Sequence, residues 1–83
     1  MPSPDPLAAD EELDCRGLRC PVPVIRLATH LPDLAVGQSL AVVSEDPAAR
    51  PDIAAWCRMR GQEYLGEDTA ADGVPRYVVR RLR

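Results

Sequence analysis

The sequence predicts an α/β (α+β) two-layer sandwich of order βαβαββ, with two helices on one face of a mixed four-stranded sheet. Three observations carry this prediction. Short alternating or β-branched runs recur at Glu11–Cys15, Gln38–Ser44, Gln62–Glu67 and Arg76–Leu82. Apolar residues at helical spacing fill the two intervals between the first three runs. Two helices cannot cover both faces of four strands, so they share one face. A helix between two strands implies parallel strands joined by a right-handed crossover, and the last two strands imply a hairpin.

The first strand, Glu11–Cys15, places Leu13 and Cys15 on one face. Arg16–Arg19 is the turn, with Gly17 free to take a φ that other residues resist. Pro21–Leu31 reads as the first helix, with a stripe of Val24, Ile25, Leu27, Ala28 and Leu31. Pro32 ends it, because the residue before a proline is steered out of the α region. Asp33–Gly37 links to the second strand, Gln38–Ser44, built on Leu40-Ala41-Val42-Val43. Asp46-Pro47 is a helix-start signature, an N-cap acid before a first-position proline. Pro51 interrupts that reading, since an interior proline removes a hydrogen bond. The expectation is therefore a short turn at Pro47–Arg50 and a second helix from Pro51 to Arg60. Ile53, Trp56, Cys57 and Arg60 share one face of it, and Gly61 closes it. Tyr64 and Leu65 mark the third strand, Asp68–Pro75 a polar loop, and Tyr77-Val78-Val79 the fourth strand.

At 83 residues the chain is one small domain, expected over residues 11–83. Met1–Asp10, with Pro2, Pro4 and Pro6, reads as a disordered leader. The chain is 46% hydrophobic with one Trp, two Tyr and no Phe, so a thin core of Leu, Val, Ile and Ala is expected. Net charge is −3, and all ten basic residues are arginine. That balance leaves no electrostatic footprint for nucleic acid, and direct nucleic-acid binding is not expected. Three cysteines, an odd number, do not suggest a secreted disulfide framework. No basic-then-apolar signal segment opens the chain, and no apolar run nears the roughly 20 residues that span a bilayer. The expected setting is the cytoplasm, away from membranes.

Chemistry concentrates at Arg16-Gly17-Leu18-Arg19-Cys20-Pro21-Val22-Pro23. Cys20 is expected at the N-cap of the first helix, where peptide dipoles favour negative charge and lower a thiol's pKa. Pro21 and Pro23 lack N–H groups, leaving the amides of Val22 and Val24 to face the sulfur. Arg16 and Arg19 add positive charge. A cysteine hydrolase would need a base, but the single histidine, His30, lies roughly 15 Å along the same helix. Cys15, Cys20 and Cys57 lack the paired spacing of a structural zinc site, so no metal is expected, and no cofactor. What remains is chemistry that asks only for a nucleophilic thiol, such as thiol exchange or a persulfide relay. Two alternatives stay open: a regulatory or nucleic-acid-binding module, and a redox-sensing thiol pair of Cys15 with Cys20. Cys57, Trp56 and Cys15 read as core residues, Asp46 as a cap, and Arg76, Arg80, Arg81 and Arg83 as a solvated edge.

The run Leu13-Asp14-Cys15-Arg16-Gly17-Leu18-Arg19-Cys20-Pro21-Val22-Pro23 resembles the signature of the TusA/SirA-like sulfur-carrier family. The resemblance continues through Glu45-Asp46-Pro47-Ala48, Asp52-Ile53 and Trp56-Cys57 to Tyr77-Val78-Val79. It implies the same βαβαββ sandwich and a catalytic Cys20 that carries sulfur as a persulfide. It further implies a cysteine desulfurase or rhodanese-type donor and a downstream acceptor protein, serving tRNA thiolation, cofactor synthesis or sulfur oxidation. The chain departs from the family pattern in a mostly neutral Leu27-Ala28-Thr29 on the first helix and in Pro51.

Overall fold

The computed structural model describes residues 7–83. Its order is β1 (Glu11–Asp14), α1 (Val22–His30), β2 (Ser39–Val43), α2 (Ala49–Arg60), β3 (Glu63–Thr69) and β4 (Pro75–Arg80). Both helices pack on one face of a single four-stranded sheet of order β1-β2-β4-β3. β1 runs parallel to β2, with Leu13 beside Val42. The second crossover differs from simple parallel pairing. β4 is antiparallel to both β2 and β3, so β2 and β3 point the same way with β4 between them. The hairpin partner fills the slot that a directly paired β3 would have taken.

The strands alternate as a two-sided sheet requires. Leu13, Leu40, Val42, Tyr77 and Val79 join the helix-side core with Leu27, Leu31, Ile53 and Cys57. Each fully buried Leu or Ile contributes about 1.5–3 kcal/mol relative to exposure. Ala41, Val43 and Val78 face the other way and are also fully buried. Arg76 lies across that face, donating to Glu12 at 2.8 Å, to Asp68 at 3.2 Å and to the Leu7 carbonyl at 2.8 Å. Gly66 sits at φ +143°, where any Cβ would meet Leu7 at 3.3 Å. Of the stretch read as a leader, Met1–Pro6 lies outside the described residues. Leu7–Asp10 is tied to the sheet: the Asp10 amide donates to the Ser39 carbonyl at 3.0 Å, and the Ser39 amide to Asp10 Oδ2 at 2.8 Å.

α1 buries Pro23 and Leu27, and the helical line continues to buried Leu31 in a 3-10 turn over Leu31–Asp33. Ile25, expected in the core stripe, is instead 54% exposed. Two residues turn a helix by roughly 200°, so a stripe centred on Leu27 leaves Ile25 outside. α2 starts at Ala49, two residues before the expected Pro51. The first intrahelical bond runs from the Asp52 amide to the Ala48 carbonyl at 3.1 Å, so the N–H that Pro51 lacks would have had no helical partner. Ala49, Ile53 and Cys57 form the buried face; Trp56 is half-buried and Arg60 exposed. Gly61, left-handed at φ 69°, closes the helix. β3 runs two residues beyond the expected end at Glu67, because the Asp68–Pro75 loop is drawn into the hairpin. Ala70 N–H bonds the Val74 carbonyl at 2.8 Å, leaving only a tight turn.

Candidate active site

Because β1 and β2 are parallel, their carboxyl ends reach the same edge of the sheet, the place where open α/β sheets hold their ligands. Two loops meet there. The first leaves β1 with one more ladder bond, from the Cys15 amide to the Val43 carbonyl at 2.8 Å. It then turns on Gly17, at φ 77°, and the Gly17 amide donates to Glu45 Oε1 at 2.9 Å. The second loop is Ser44–Ala48. The buried Ser44 hydroxyl accepts from the Asp46 amide at 3.2 Å, which fixes the Asp46 backbone.

Asp46 then joins the loops. Its Oδ1 accepts from the Ala48 amide at 2.9 Å, and its Oδ2 accepts from the Cys20 amide at 2.6 Å. These two amide bonds are the leading causes that hold the Asp46 carboxyl below the usual carboxylate range. The N-cap of α2 is Ala48, not Asp46, and no side chain caps it. The Asp46 carboxylate clamps the cysteine loop as well as its own turn.

Cys20 is exposed and, with Gly17, Leu18, Arg19, Glu45, Asp46 and Pro47, lines an open cleft of about 630 Å³. Three sequence-based expectations change here. The N-cap of α1 is Pro21, joined to Cys20 by a cis peptide, so Cys20 stands one residue outside the helix. The Val22 amide donates to the Arg19 carbonyl at 2.9 Å and is not available to the sulfur. Arg16 is engaged elsewhere, bonding Asp72 at 2.9 and 3.1 Å and Asp14 at 3.1 Å.

The partner of the sulfur is an acid. Cys20 Sγ donates to Asp52 Oδ2 at 3.0 Å. That hydrogen bond, followed by partial desolvation and the charges of Asp52 and Asp46, pushes the thiol pKa up, opposite to the expected helix-start effect. A carboxylate at hydrogen-bond distance outweighs a dipole whose nearest amide is already engaged. Asp52 enters the sequence reading only within the family resemblance, with no role at the sulfur, because local pattern does not show that the start of α2 meets the cysteine loop. The signal was present: an acid in the first turn of α2, whose start faces the same sheet edge as Cys20.

The other candidates lie apart from this site. His30 Nδ1 lies 2.9 Å from the Arg26 carbonyl, at the far end of α1 from Cys20. Cys15 and Cys57 are fully enclosed in the core, and burial pushes both thiols up, Cys57 to about 11. All three cysteines are free thiols.

Comparison with known proteins agrees with this architecture. Residues 11–81 match the family model described as sulfurtransferase TusA. A sulfur carrier protein TusA of Pseudomonas entomophila is 41% identical over 75 residues, covering 90% of this chain and 92% of that relative. A sulfur carrier protein TusA of Pseudomonas putida is 42% identical over 72 residues, covering 87% and 89%. The crystal structure of a SirA-like protein from Desulfitobacterium hafniense superposes with a TM-score of 0.75 at 22% identity, covering 88% of this chain and 99% of that one, and shows the same fold.

Proposed function

The chain belongs to the TusA sulfurtransferase family, a family of sulfur carriers, and we propose that Cys20 carries the sulfur as a persulfide. The observation that supports this reading most is the contrast among the thiols: Cys20 alone is exposed, in an open cleft, while Cys15 and Cys57 are enclosed. Loading is a redox-neutral exchange. Cys20 sulfur attacks the terminal sulfur of a donor persulfide, the donor S–S bond breaks, and its electron pair leaves on the donor sulfur, which takes the proton. Unloading repeats the step, with an acceptor thiolate attacking the terminal sulfur and Cys20 as leaving group. Both the attacking and the leaving group are sulfur, so no strong base is required.

The donor is a cysteine desulfurase or a rhodanese-type protein, and the acceptor a protein thiol serving tRNA thiolation, cofactor synthesis or sulfur oxidation. The setting proposed is the cytoplasm. Among the described residues no helix is long and apolar enough to cross a membrane. The test is intact mass after incubation with a desulfurase and cysteine. The wild type gains about 32 Da, reversed by reductant, and Cys20→Ser gains nothing. A Cys20→Ser protein that loads like wild type would remove the assignment.

A further inference from the structure

We propose that Asp52 is a latch on the sulfur site: its carboxylate holds the empty carrier's Cys20 as an oriented thiol, slow to react, and lets go once Cys20 is loaded. The proposal rests on Cys20 being the loaded thiol and adds how the loading is controlled. Its basis is the 3.0 Å contact from Cys20 Sγ to Asp52 Oδ2, across two separate elements. The groups facing the sulfur come from three sides. α2 supplies Asp52, and the loop before it supplies Asp46 and Glu45, while the cysteine's own loop supplies Arg19. The first turn of α1, Val22–Ile25, carries no charge. Asp52 and Asp46 both act against a thiolate here, which would lose a hydrogen bond and gain repulsion.

The latch acts on one chemical state only. In the empty carrier Sγ bears the hydrogen that Asp52 accepts. Loading proceeds as Cys20–SH + R–S–SH → Cys20–S–SH + R–SH, with the thiol proton ending on the donor sulfur. Sγ then has two covalent partners and no hydrogen, so the bond to Asp52 is gone. The terminal sulfur, as an anion, has no hydrogen to give Asp52, and Asp46 and Asp52 repel it toward the open cleft. The empty form is quiet, and the loaded form is released toward the acceptor.

The test is thiol exchange of Cys20 with a small neutral disulfide, bis(2-hydroxyethyl) disulfide, resolved by peptide mass between about pH 6 and 10. It needs no sulfur donor, so it stands or fails separately from the mass assay for loading. The wild type is expected to show a midpoint above the ordinary thiol value of about 8.5. Asp52→Asn, which keeps the side chain's shape, is expected to lower that midpoint. Each unit of lowering raises thiolate about tenfold and reduces its intrinsic nucleophilicity about threefold, a net gain of about threefold at neutral pH. The wild-type midpoint is also expected to stay raised in about 1 M salt, which screens distant charges but not a contact hydrogen bond. That arm holds even if the variant does not fold. A wild-type midpoint at or below the ordinary value, a midpoint that falls to it in high salt, or an Asp52→Asn profile that does not move would each overturn the latch.

Discussion

Cys20 and Cys57 both resist ionisation, and for unrelated reasons. Cys57 lies on the buried face of α2 between Ile53 and the Gly61 cap, and loss of water alone pushes its thiol up to about 11. Cys20 lies in an open cleft, and a hydrogen bond to an acid on the first turn of that same helix is the largest cause of its raised pKa. One helix therefore delivers two kinds of control over sulfur. Burial makes a thiol inert because nothing can reach it. A hydrogen-bonded carboxylate makes a thiol quiet while leaving it within reach of a partner. Only the second kind can be undone by changing one side-chain atom or by loading the sulfur itself.

Neighbouring substitutions on α2 separate the two regions most strongly. Ile53→Ala removes a fully buried side chain and is expected to lower stability by about 2–5 kcal/mol in denaturant unfolding. Asp52→Asn, one residue earlier, is expected to leave that unfolding curve within about 0.5 kcal/mol. Equal losses would mean that Asp52 is structural and that the site is not separable from the core.

The next effect is alkaline. A thiol whose pKa is raised on folding holds its proton more tightly in the folded state. Its stabilisation is full below the ordinary value of about 8.5 and is lost as pH rises through the folded value. For Cys57 that window runs up to about 11. The expected loss across it is on the order of 3 kcal/mol, and Cys57→Ala should flatten the slope. A slope unchanged by that substitution would place the alkaline sensitivity elsewhere.

Asp46→Asn probes the join between the two loops and is expected to have a smaller, local effect. It removes one of the two carboxylate acceptors that hold the Cys20 and Ala48 amides. Amide hydrogen exchange at those positions should speed about two- to tenfold, while α2 interior amides stay protected. The same loosening is expected in wild type as pH falls below the usual carboxylate range, since the Asp46 carboxyl is held down by these bonds. The smallest effect is predicted for Pro51→Ala. Pro51 sits in the first turn, where its missing N–H has no helical partner, so unfolding should shift by no more than about 0.5 kcal/mol.

Pro51 also shows what sequence reading can and cannot reach. Element order and the shared helix face were legible, because Leu27, Ile53, Val42 and Val79 obey helix and strand periods. The insertion of β4 between β2 and β3 was not, since period says nothing about which strand occupies a slot. At the site, the Cys20 motif was legible as chemistry. Its environment was not: Asp52 reaches the sulfur only through the packing of α2 against the cysteine loop, and Arg16, near in sequence, pairs with distant Asp72. Local pattern identified the nucleophile, while the groups that tune it come from residues 26 and 32 positions further along the chain.

Exposure in an open cleft singles out Cys20 among the three free cysteines. The most direct measurement is peptide-resolved mapping of sulfane sulfur after desulfurase loading, with thiols blocked before digestion. The added sulfur is expected on the Cys20 peptide alone, with Cys15 and Cys57 unlabelled until the chain is unfolded. Added sulfur on Cys15 or Cys57 in the folded protein, or an unlabelled Cys20, would contradict it.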